Sequence, residues 1–346
     1  MRIRPILPLI FFLPLAGSPS AVAQVQPITS LHYVAGGNGT DNFQTSLGLG
    51  FRLVDAGYPD QLNGLPSDVK ALVWVGMCNG VDSEFTSKVD AWKGNSQLFA
   101  FYLMDEPDPS GVYQNGTVCM PASLKTESDY IHANLPGAKT FIVVMGYGDY
   151  QSTDNPPSYM PYAPFHDPTY EFNPATTGID LYGIDVYPCR HRYIGTTEAP
   201  DGCMINEIPA FVAAAIASGI PQSAIVPVYQ AYGNNPANPI VWSTTLAPTA
   251  DQEWRQLAAW GAVIPTPPFD YAYVWAQFDF VGLSQLPDVQ EVFASHNTAT
   301  SPSQDATPSS VSGCGISGTS DAGLLLAGLL LLKLRRNRTN RRVQAL

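Results

Sequence analysis

Short apolar runs alternate with stretches of helical composition through the middle of the chain. Eight runs have the length and residue types of β-strands: Ile28–Val34, Phe51–Asp55, Lys70–Gly76, Gln97–Asp105, Lys139–Gly146, Ile179–Tyr187, Ala224–Tyr232 and Tyr271–Phe280. Helices are predicted at Asp82–Lys93, Pro121–Ala133, Ile205–Ser218, Ala250–Val263 and Asp288–Ser295. The helical pattern is faint after the first two strands.

Strands that alternate with helices imply βαβ units and a mainly parallel sheet. Eight such units in about 270 residues have the size of a (β/α)8 or TIM barrel. A doubly wound open sheet is the alternative, but only a loose glycine cluster, and no phosphate-binding loop, follows the first strand. We therefore predict one barrel domain over residues 24–297, with its chemistry in the loops that follow the strands.

The N-terminal end differs from this domain. Residues 1–23 combine Arg2 and Arg4 with an apolar run, Ile6–Leu15, and small residues before Gln24, which predicts a secretion signal. A membrane anchor is the alternative, but the run is short for a hydrocarbon core of roughly 30 Å.

The C-terminal end predicts a tether. Residues 298–320 form a linker rich in Ser, Thr, Pro and Gly, and residues 321–346 hold an apolar segment followed by a basic cluster, a stop-transfer pattern. With Cys314 between two glycines before the apolar segment, this end resembles bacterial C-terminal sorting signals of the myxobacterial type, although Ile316 stands where those signals have a second Cys. We predict a protein exported to the cell surface or outer membrane, held by this tail, or released from it.

The domain is strongly acidic. The chain of 346 residues carries 17 basic and 29 acidic residues, and residues 24–297 alone have a formal net charge of −18. Such a surface repels the backbone of nucleic acids and anionic lipid head groups, which excludes nucleic acid as a partner and favours neutral or cationic ligands. Solubility in an extracellular setting is an equally good explanation of the charge.

Four of the five cysteines lie in the domain. Because an exported protein folds in an oxidising compartment, an even number of cysteines favours disulfides. Their spacing suggests Cys189–Cys203 within one loop and Cys78–Cys119 between neighbouring loops, out of three possible pairings. There is no CxxC or His-rich cluster, so we predict neither a metal site nor a cofactor.

Polar residues recur where the predicted strands end. The fourth strand ends in Asp105-Glu106-Pro107, and two carboxyls after a buried run must be desolvated or paired, either of which shifts their pKa. Cleavage of a glycosidic bond needs a protonated carboxyl beside the leaving oxygen and a second group across the sugar. The alternative is that Asp105 or Glu106 caps the next helix or binds a loop arginine.

Other strand ends supply partners for this pair. Asp185 shares a strand face with Gly183 and Tyr187, so an inward face would bring it to the cavity of Glu106. An indole with amide and phenol donors beside it suits the apolar face and hydroxyl rim of a sugar. The candidate substrate-binding residues are His32, Tyr187, Gln230, Tyr232, Trp275 and Gln277. Core packing or structural hydrogen bonding is the alternative for each of them and for Asp185.

The segment from Tyr102 to Pro107 resembles the strand-four Asn-Glu-Pro motif of clan A glycoside hydrolases, in which the Glu is the acid/base. With Asp before Glu, it is also similar to family 123 and, more loosely, family 20 N-acetylhexosaminidases. In those enzymes the Asp orients the acetamido group of the substrate, which is the nucleophile. Trp275 resembles the tryptophan that floors the sugar subsite in many clan A barrels. The resemblance implies Glu106 as acid/base and Asp105 as its partner.

One position departs from clan A, whose nucleophile is a Glu on strand seven. Gln230 stands there, and a neutral amide cannot attack an anomeric carbon. An acetamido nucleophile, Asp185 as base or nucleophile, and a barrel that binds sugar without cleaving it remain open. We predict a monomeric, secreted or surface-anchored glycoside hydrolase acting on extracellular polysaccharide, with Glu106 as general acid/base and Asp105 or Asp185 as second carboxylate. A non-catalytic glycan-binding protein and a structural surface protein are the rival interpretations.

Overall fold

The structure, a computed structural model, describes residues 26–37, 43–109, 118–145, 171–190, 202–234, 245–276 and 280–299. All of them belong to one compact unit, Met1–Ser301. The predicted secretion signal, the C-terminal apolar segment and basic cluster, Cys314, Gln277 and nearly all of the linker lie outside the described residues.

Eight parallel strands close into a barrel, as the alternation of apolar runs predicts, and the fold is a (β/α)8 or TIM barrel. Its strands are β1 (His32–Val34), β2 (Leu53–Asp55), β3 (Lys70–Trp74), β4 (Leu98–Asp105), β5 (Lys139–Met145), β6 (Leu181–Asp185), β7 (Ile225–Gln230) and β9 (Asp270–Tyr273). The ring closes where β9 pairs with β1, through His32↔Asp270 and Tyr33↔Tyr271. A short antiparallel pair, β8 (Gly233–Asn234) with β10 (Phe280–Val281), is separate from this sheet.

Helices connect the barrel strands. They are α1 (Gln44–Gly48), α2 (Ser83–Asp90), α3 (Pro121–Asn134), α4 (Pro174–Thr177), α5 (Ile208–Ala217), α6 (Ala250–Val263) and α7 (Pro287–Thr298). The faint pattern after the first two strands corresponds to the five-residue α1 and to a 3-10 turn, Pro59–Leu62. Within the described ranges, no helix is both long enough and apolar enough to cross a membrane.

Two hydrophobic layers hold the barrel together. The inner layer fills the barrel with buried side chains, among them Tyr33, Phe141 and Tyr271, and the outer layer packs the strands against the helices. Gly183 on β6 lies where the inner layer has no room for a side chain, because a Cβ at this position would be 2.8 Å from Cγ2 of Val143. The interior is therefore a packed core below the ends of the strands.

A β-bulge redirects the end of β4. The pairing of β4 with β5 shifts by one residue between Tyr102 and Met104, which leaves Leu103 as an extra residue. Tyr102 belongs to the inner layer, whereas Leu103 and Met104 both belong to the outer layer. The next side chain, Asp105, therefore points inward, although simple alternation from Tyr102 would have placed it outside.

Both predicted disulfides are present. Cys78–Cys119 joins the loop after β3 to the segment that begins α3, with the Cα atoms 5.3 Å apart. Cys189–Cys203 closes a loop after β6, with the Cα atoms 3.9 Å apart. Two disulfides are consistent with an extracellular protein. Both bonds anchor loops at the end of the barrel where the strands finish.

Substitution of Gly183 tests the packing of the inner layer. We expect Gly183→Ala to lower the free energy of unfolding by about 1–3 kcal/mol, because the new methyl group overpacks a core that has no room for it. Gly48→Ala is the matched control: nothing lies within 4 Å of a Cβ there, and alanine favours the helix. Chemical denaturation followed by circular dichroism measures both, and equal stability of the two variants would contradict the packing described.

Candidate active site

Three carboxyl side chains meet at the ends of β4 and β6. Asp105 is the last residue of β4, Glu106 follows it, and Asp185 is the last residue of β6. The three interact electrostatically, because the charge of Glu106 raises the pKa of both Asp105 and Asp185. They therefore share one site at the carboxyl ends of the strands, the end of the barrel where TIM-barrel enzymes have their active sites.

Asp105 is held by a tyrosine of its own strand. The hydroxyl of Tyr102 donates to Oδ1 of Asp105 at 2.6 Å. Burial, and then the charge of Glu106, raise the pKa of Asp105 to about 7, although the hydrogen bond from Tyr102 acts in the opposite direction. The carboxyl of Asp105 therefore changes between its protonated and its ionised form near neutral pH.

Asp185 is the most deeply buried of the three, with 5% of its surface exposed. Burial raises the pKa of Asp185, and the charge of Glu106, a hydrogen-bonding approach by Glu106 and the charge of Asp105 raise it further. Neither carboxyl oxygen has a partner of regular hydrogen-bond geometry among the described residues, so the approach of Glu106 is close but poorly directed. The hydrogen-bonding capacity of these two buried oxygens is therefore largely unused by the described residues.

Glu106 has a backbone conformation that a residue with a side chain rarely adopts. Its φ of 46° lies in the left-handed region, and its N–H donates to the carbonyl oxygen of Val143 at 3.0 Å. This conformation costs on the order of 1–3 kcal/mol and is typical of functional sites. Because it interrupts the alternation of the strand, two consecutive carboxyls face the same site.

A fourth carboxyl, Asp55, lies nearby and was not among the candidates from the sequence. It ends β2, and its Oδ2 accepts a hydrogen bond from the N–H of Gly36 at 3.4 Å. Burial raises the pKa of Asp55. The charges of Asp55 and Asp105 both act on Tyr33 and Tyr271, so the two carboxyls flank the same tyrosines. Its position at the end of a predicted strand was the only signal in the sequence.

Three tyrosines, Tyr187, Tyr232 and Tyr273, form a wall beside the carboxyls. Tyr187 and Tyr232 are among the substrate-binding residues predicted from the sequence. The ring centroids of Tyr187 and Tyr232 are 5.1 Å apart, and those of Tyr232 and Tyr273 are 5.2 Å apart. Burial raises the pKa of Tyr232, and the charges of Glu106 and Asp185 contribute, so this wall faces the carboxyls. The raised pKa values of Tyr187 and Tyr232 keep these two phenols protonated, so they can donate to ligand hydroxyls.

Gln230 has a structural role. Its side chain is fully buried, its Oε1 accepts from the N–H of Cys189 at 2.7 Å, and its Nε2 donates to the carbonyl oxygens of Cys189 and Leu246 at 2.9 and 2.8 Å. The amide thus ties β7 to the loop of the Cys189–Cys203 disulfide. Since backbone groups occupy it completely, we correct the prediction that Gln230 binds substrate.

His32 lies at the opposite end of the barrel. It is the first residue of β1, and its Nδ1 is 2.8 Å from Oδ1 of Asp270, the first residue of β9. Nε2 of His296 is 2.7 Å from the other oxygen of the same carboxylate. Although burial acts to raise it, the two histidines hold the pKa of Asp270 below its usual range. His32 therefore helps to close the barrel, and the prediction that it contacts substrate is corrected.

The donor atoms of His32, Asp270 and His296 also lie within 4.8 Å of one another, which is close enough for a metal ion. Each histidine nitrogen contacts a different carboxylate oxygen at hydrogen-bond distance, and the hydroxyl of Tyr229 donates to the same carboxylate at 3.3 Å. These contacts are those of a hydrogen-bonded cluster around a buried carboxylate.

Trp275 packs against the outer hydrophobic layer, and its backbone N–H donates to the carbonyl oxygen of Ala35 at 2.9 Å. Because β9 ends at Tyr273, the alternation that predicted a shared face no longer applies at Trp275. Its role as the floor of a sugar subsite stays a prediction.

The raised pKa of Asp105 makes stability depend on pH. A carboxyl with a higher pKa in the folded state stabilises the fold below its unfolded value near 3.8, and this contribution is lost as the pH rises through about 7. We expect Asp105→Asn to raise the melting temperature at pH 8 relative to the parent, by roughly 2–4 °C for each kcal/mol of desolvation relieved. The difference should shrink at pH 4.5.

Asp68→Asn is the control, because Asp68 is exposed and its contact with Arg52 is a surface ion pair. Melting curves from pH 4 to 9 measure both variants. A difference between Asp105→Asn and the parent that stays constant with pH would contradict the raised pKa.

A scan against protein-family models and a search of curated proteins found no match. A search of solved structures found a mutant class V chitinase from Cycas revoluta in complex with (GlcNAc)3, at 9% identity over 77% of this chain and 98% of that one, with a TM-score of 0.44. It also found a GH18 chitinase from Flavobacterium johnsoniae, at 8% identity over 78% and 94%, with a TM-score of 0.41. A β-glucuronidase from Ruminococcus gnavus matches at 9% identity over 74% and 45%, with a TM-score of 0.43. At this distance, function has to be argued from the site itself.

Proposed function

We propose that the protein is a glycoside hydrolase that cleaves extracellular polysaccharide containing 2-acetamido sugars, with Glu106 as general acid/base. The observation that carries the proposal is the cluster of Asp105, Glu106 and Asp185. Among the described residues, no cation contributes to the pKa shifts of Asp105 and Asp185. Because burial and neighbouring charge both disfavour the ionised forms of these two aspartates, the cluster retains a proton for the leaving oxygen.

The substrate supplies the nucleophile in this proposal. Gln230 stands at the strand-seven position and its amide is bound to backbone groups, so no carboxylate is available there. Glu106 lies near enough to Asp185 to raise its pKa. An acetamido nucleophile needs no second carboxylate at the roughly 5–5.5 Å of a retaining pair or the roughly 6.5–9.5 Å of an inverting pair.

Asp105 and Asp185 have different roles in this proposal. Both oxygens of Asp185 lack regular hydrogen-bond partners among the described residues, so Asp185 is the better acceptor for the N–H of the acetamido group. Oδ1 of Asp105 already accepts from Tyr102, so Asp105 acts mainly on the proton affinity of its neighbours. Tyr187 and Tyr232 donate to sugar hydroxyls from the opposite wall.

Catalysis then takes two steps. In the first, the acetamido carbonyl oxygen bonds to the anomeric carbon, the glycosidic bond breaks, and the proton retained by the carboxyl cluster passes through Glu106 to the leaving oxygen. In the second, water attacks the anomeric carbon of the oxazolinium ion, the bond to the acetamido oxygen breaks, and Glu106 takes up the proton of the water. The configuration is retained, and the cluster regains its proton.

The proposed setting is extracellular. The predicted secretion signal and C-terminal tether would hold the barrel at the cell surface, and polysaccharide is the substrate that such an enzyme meets. The acidic domain and its disulfides fit that setting.

Substitution of Glu106 tests the proposal. We expect Glu106→Gln to lower kcat on aryl glycosides and oligomers of N-acetylglucosamine at least ~100-fold, because the amide cannot transfer a proton, while oligomer binding persists. The exposed Glu84→Gln is the control. Glycosides with a 2-hydroxyl group should react much more slowly than their 2-acetamido counterparts. Binding without turnover in the parent would establish the non-catalytic alternative.

The pH profile gives a second test. We expect kcat/KM to fall as the pH rises through about 7, because the carboxyl cluster then loses the proton that the leaving group needs. Because the pKa of about 7 belongs to Asp105, Asp105→Asn should displace this alkaline limb in the residual activity. An alkaline limb at the same pH in variant and parent would argue against coupling of the carboxyls.

A further inference from the structure

Trp74 is an exposed indole next to the carboxyl cluster. It is the last residue of β3, and 42% of its surface is exposed, although the three residues before it are buried. Leu72 belongs to the inner layer and Val73 to the outer layer. The period of two therefore places Trp74 on the inner side, at the end of the barrel that carries the candidate active site.

The indole is held from two sides. Its ring meets the ring of Tyr102 edge to face, with the centroids 4.8 Å apart and the planes at 86°. It also lies against Gly76, where a Cβ would be 2.5 Å from the indole and where φ is +64°. Glycine at this position thus allows the backbone to turn and the ring to lie against it. Part of the Trp74 side chain remains exposed to solvent.

The loop that follows Trp74 is fixed. The Cys78–Cys119 disulfide anchors it to the start of α3, and the N–H of Gly80 donates to Oε1 of Glu127 at 3.0 Å. Glu127 is fully buried on α3, and burial raises its pKa to about 8. An aromatic side chain held this firmly loses little entropy when it binds a ligand.

A single side chain, that of Tyr102, connects the indole of Trp74 with the carboxyl of Asp105. Tyr102, against whose ring Trp74 packs, donates its hydroxyl to Asp105 at 2.6 Å. The carboxyls therefore lie between two aromatic walls, Trp74 with Tyr102 on one side and Tyr187 with Tyr232 on the other. A flat, exposed, apolar ring beside a polar cluster suits the C–H face of a pyranose whose hydroxyls point outward.

We infer that Trp74 is the stacking platform of a second sugar subsite, so that the substrate is an oligosaccharide with one ring at the carboxyls and its neighbour on the indole. This inference rests on the proposed function and adds to it that a chain of linked pyranoses, and not a single sugar, is recognised.

Binding to a protein that cannot turn over tests the inference separately from the chemistry. In the Glu106→Gln background, we expect Trp74→Ala to weaken the affinity for N-acetylglucosamine tetramer about 10-fold, which corresponds to about 1.4 kcal/mol for a stacked ring. Affinity for the monosaccharide should change less than 2-fold. Trp74→Phe, which keeps a smaller ring, should fall between, and titration calorimetry measures all three.

Ile216→Ala is the matched control, because Ile216 is also 42% exposed but lies on α5. In the Glu106→Gln background, the affinity of Ile216→Ala for the tetramer should equal that of Glu106→Gln alone. Trp74→Phe should also remove most of the change in tryptophan fluorescence when tetramer is added. Tetramer affinity that is unchanged in both Trp74 variants would overturn the platform while leaving the proposed function intact. Loss of turnover in Glu106→Gln with no tetramer binding in any variant would overturn the platform alone.

Discussion

The close approach of three carboxyls, two of them with a pKa that burial raises, is the constraint on which the site depends. Charged groups avoid such surroundings, because burial without a partner costs several kcal/mol and is relieved by uptake of a proton. The barrel imposes this arrangement through its backbone. The bulge in β4 turns Asp105 inward, the left-handed conformation of Glu106 adds a second carboxyl, and the end of β6 adds Asp185. A proton held near neutral pH is the consequence.

The two ends of the barrel show how surroundings determine what a carboxyl does. At the amino ends of the strands, Asp270 is fully buried but receives His32, His296 and Tyr229, and its pKa is held low. It is a structural anion that joins β1, β9 and α7. At the carboxyl ends, Asp185 is almost as deeply buried but lacks such donors, and its pKa is raised. Buried aspartates thus favour the ionised form at one end of the barrel and the protonated form at the other.

The sequence allowed the barrel to be predicted because its signals are local. Apolar runs and helical stretches predict the strands and helices whatever their partners, and cysteine spacing favoured the disulfide pairs that form. The pair Asp105-Glu106 was recognisable because two carboxyls after a buried run are costly. Asp185 was found through the alternation along one regular strand, which holds as far as its last residue.

What could not be predicted depends on register and on contacts between distant segments. The bulge in β4 arises from its pairing with β5, and without it Asp105 would be assigned to the outside. The hydrogen bonds that occupy the amide of Gln230 come from the loop at Cys189. The structural role of His32 depends on His296, which lies on a helix more than 250 residues later in the chain. In the sequence, Trp74 is only one more apolar residue of a predicted strand. Whether a side chain at the end of a strand is exposed depends on the conformation of the loops around it.

The protonation of the cluster also bears on which sugars suit the site. An acidic domain attracts cationic amino sugars, and a free ammonium group beside Asp185 would favour the ionised carboxylate. In the proposed reaction, that shift would remove the proton that the leaving oxygen requires, so tight binding of the cation would work against it. A neutral acetamido group accepts and donates hydrogen bonds without adding charge, and it leaves the pKa of Asp185 high. Under the proposed function, the feature that makes the carboxyls costly to bury therefore favours an acetylated sugar over its deacetylated form.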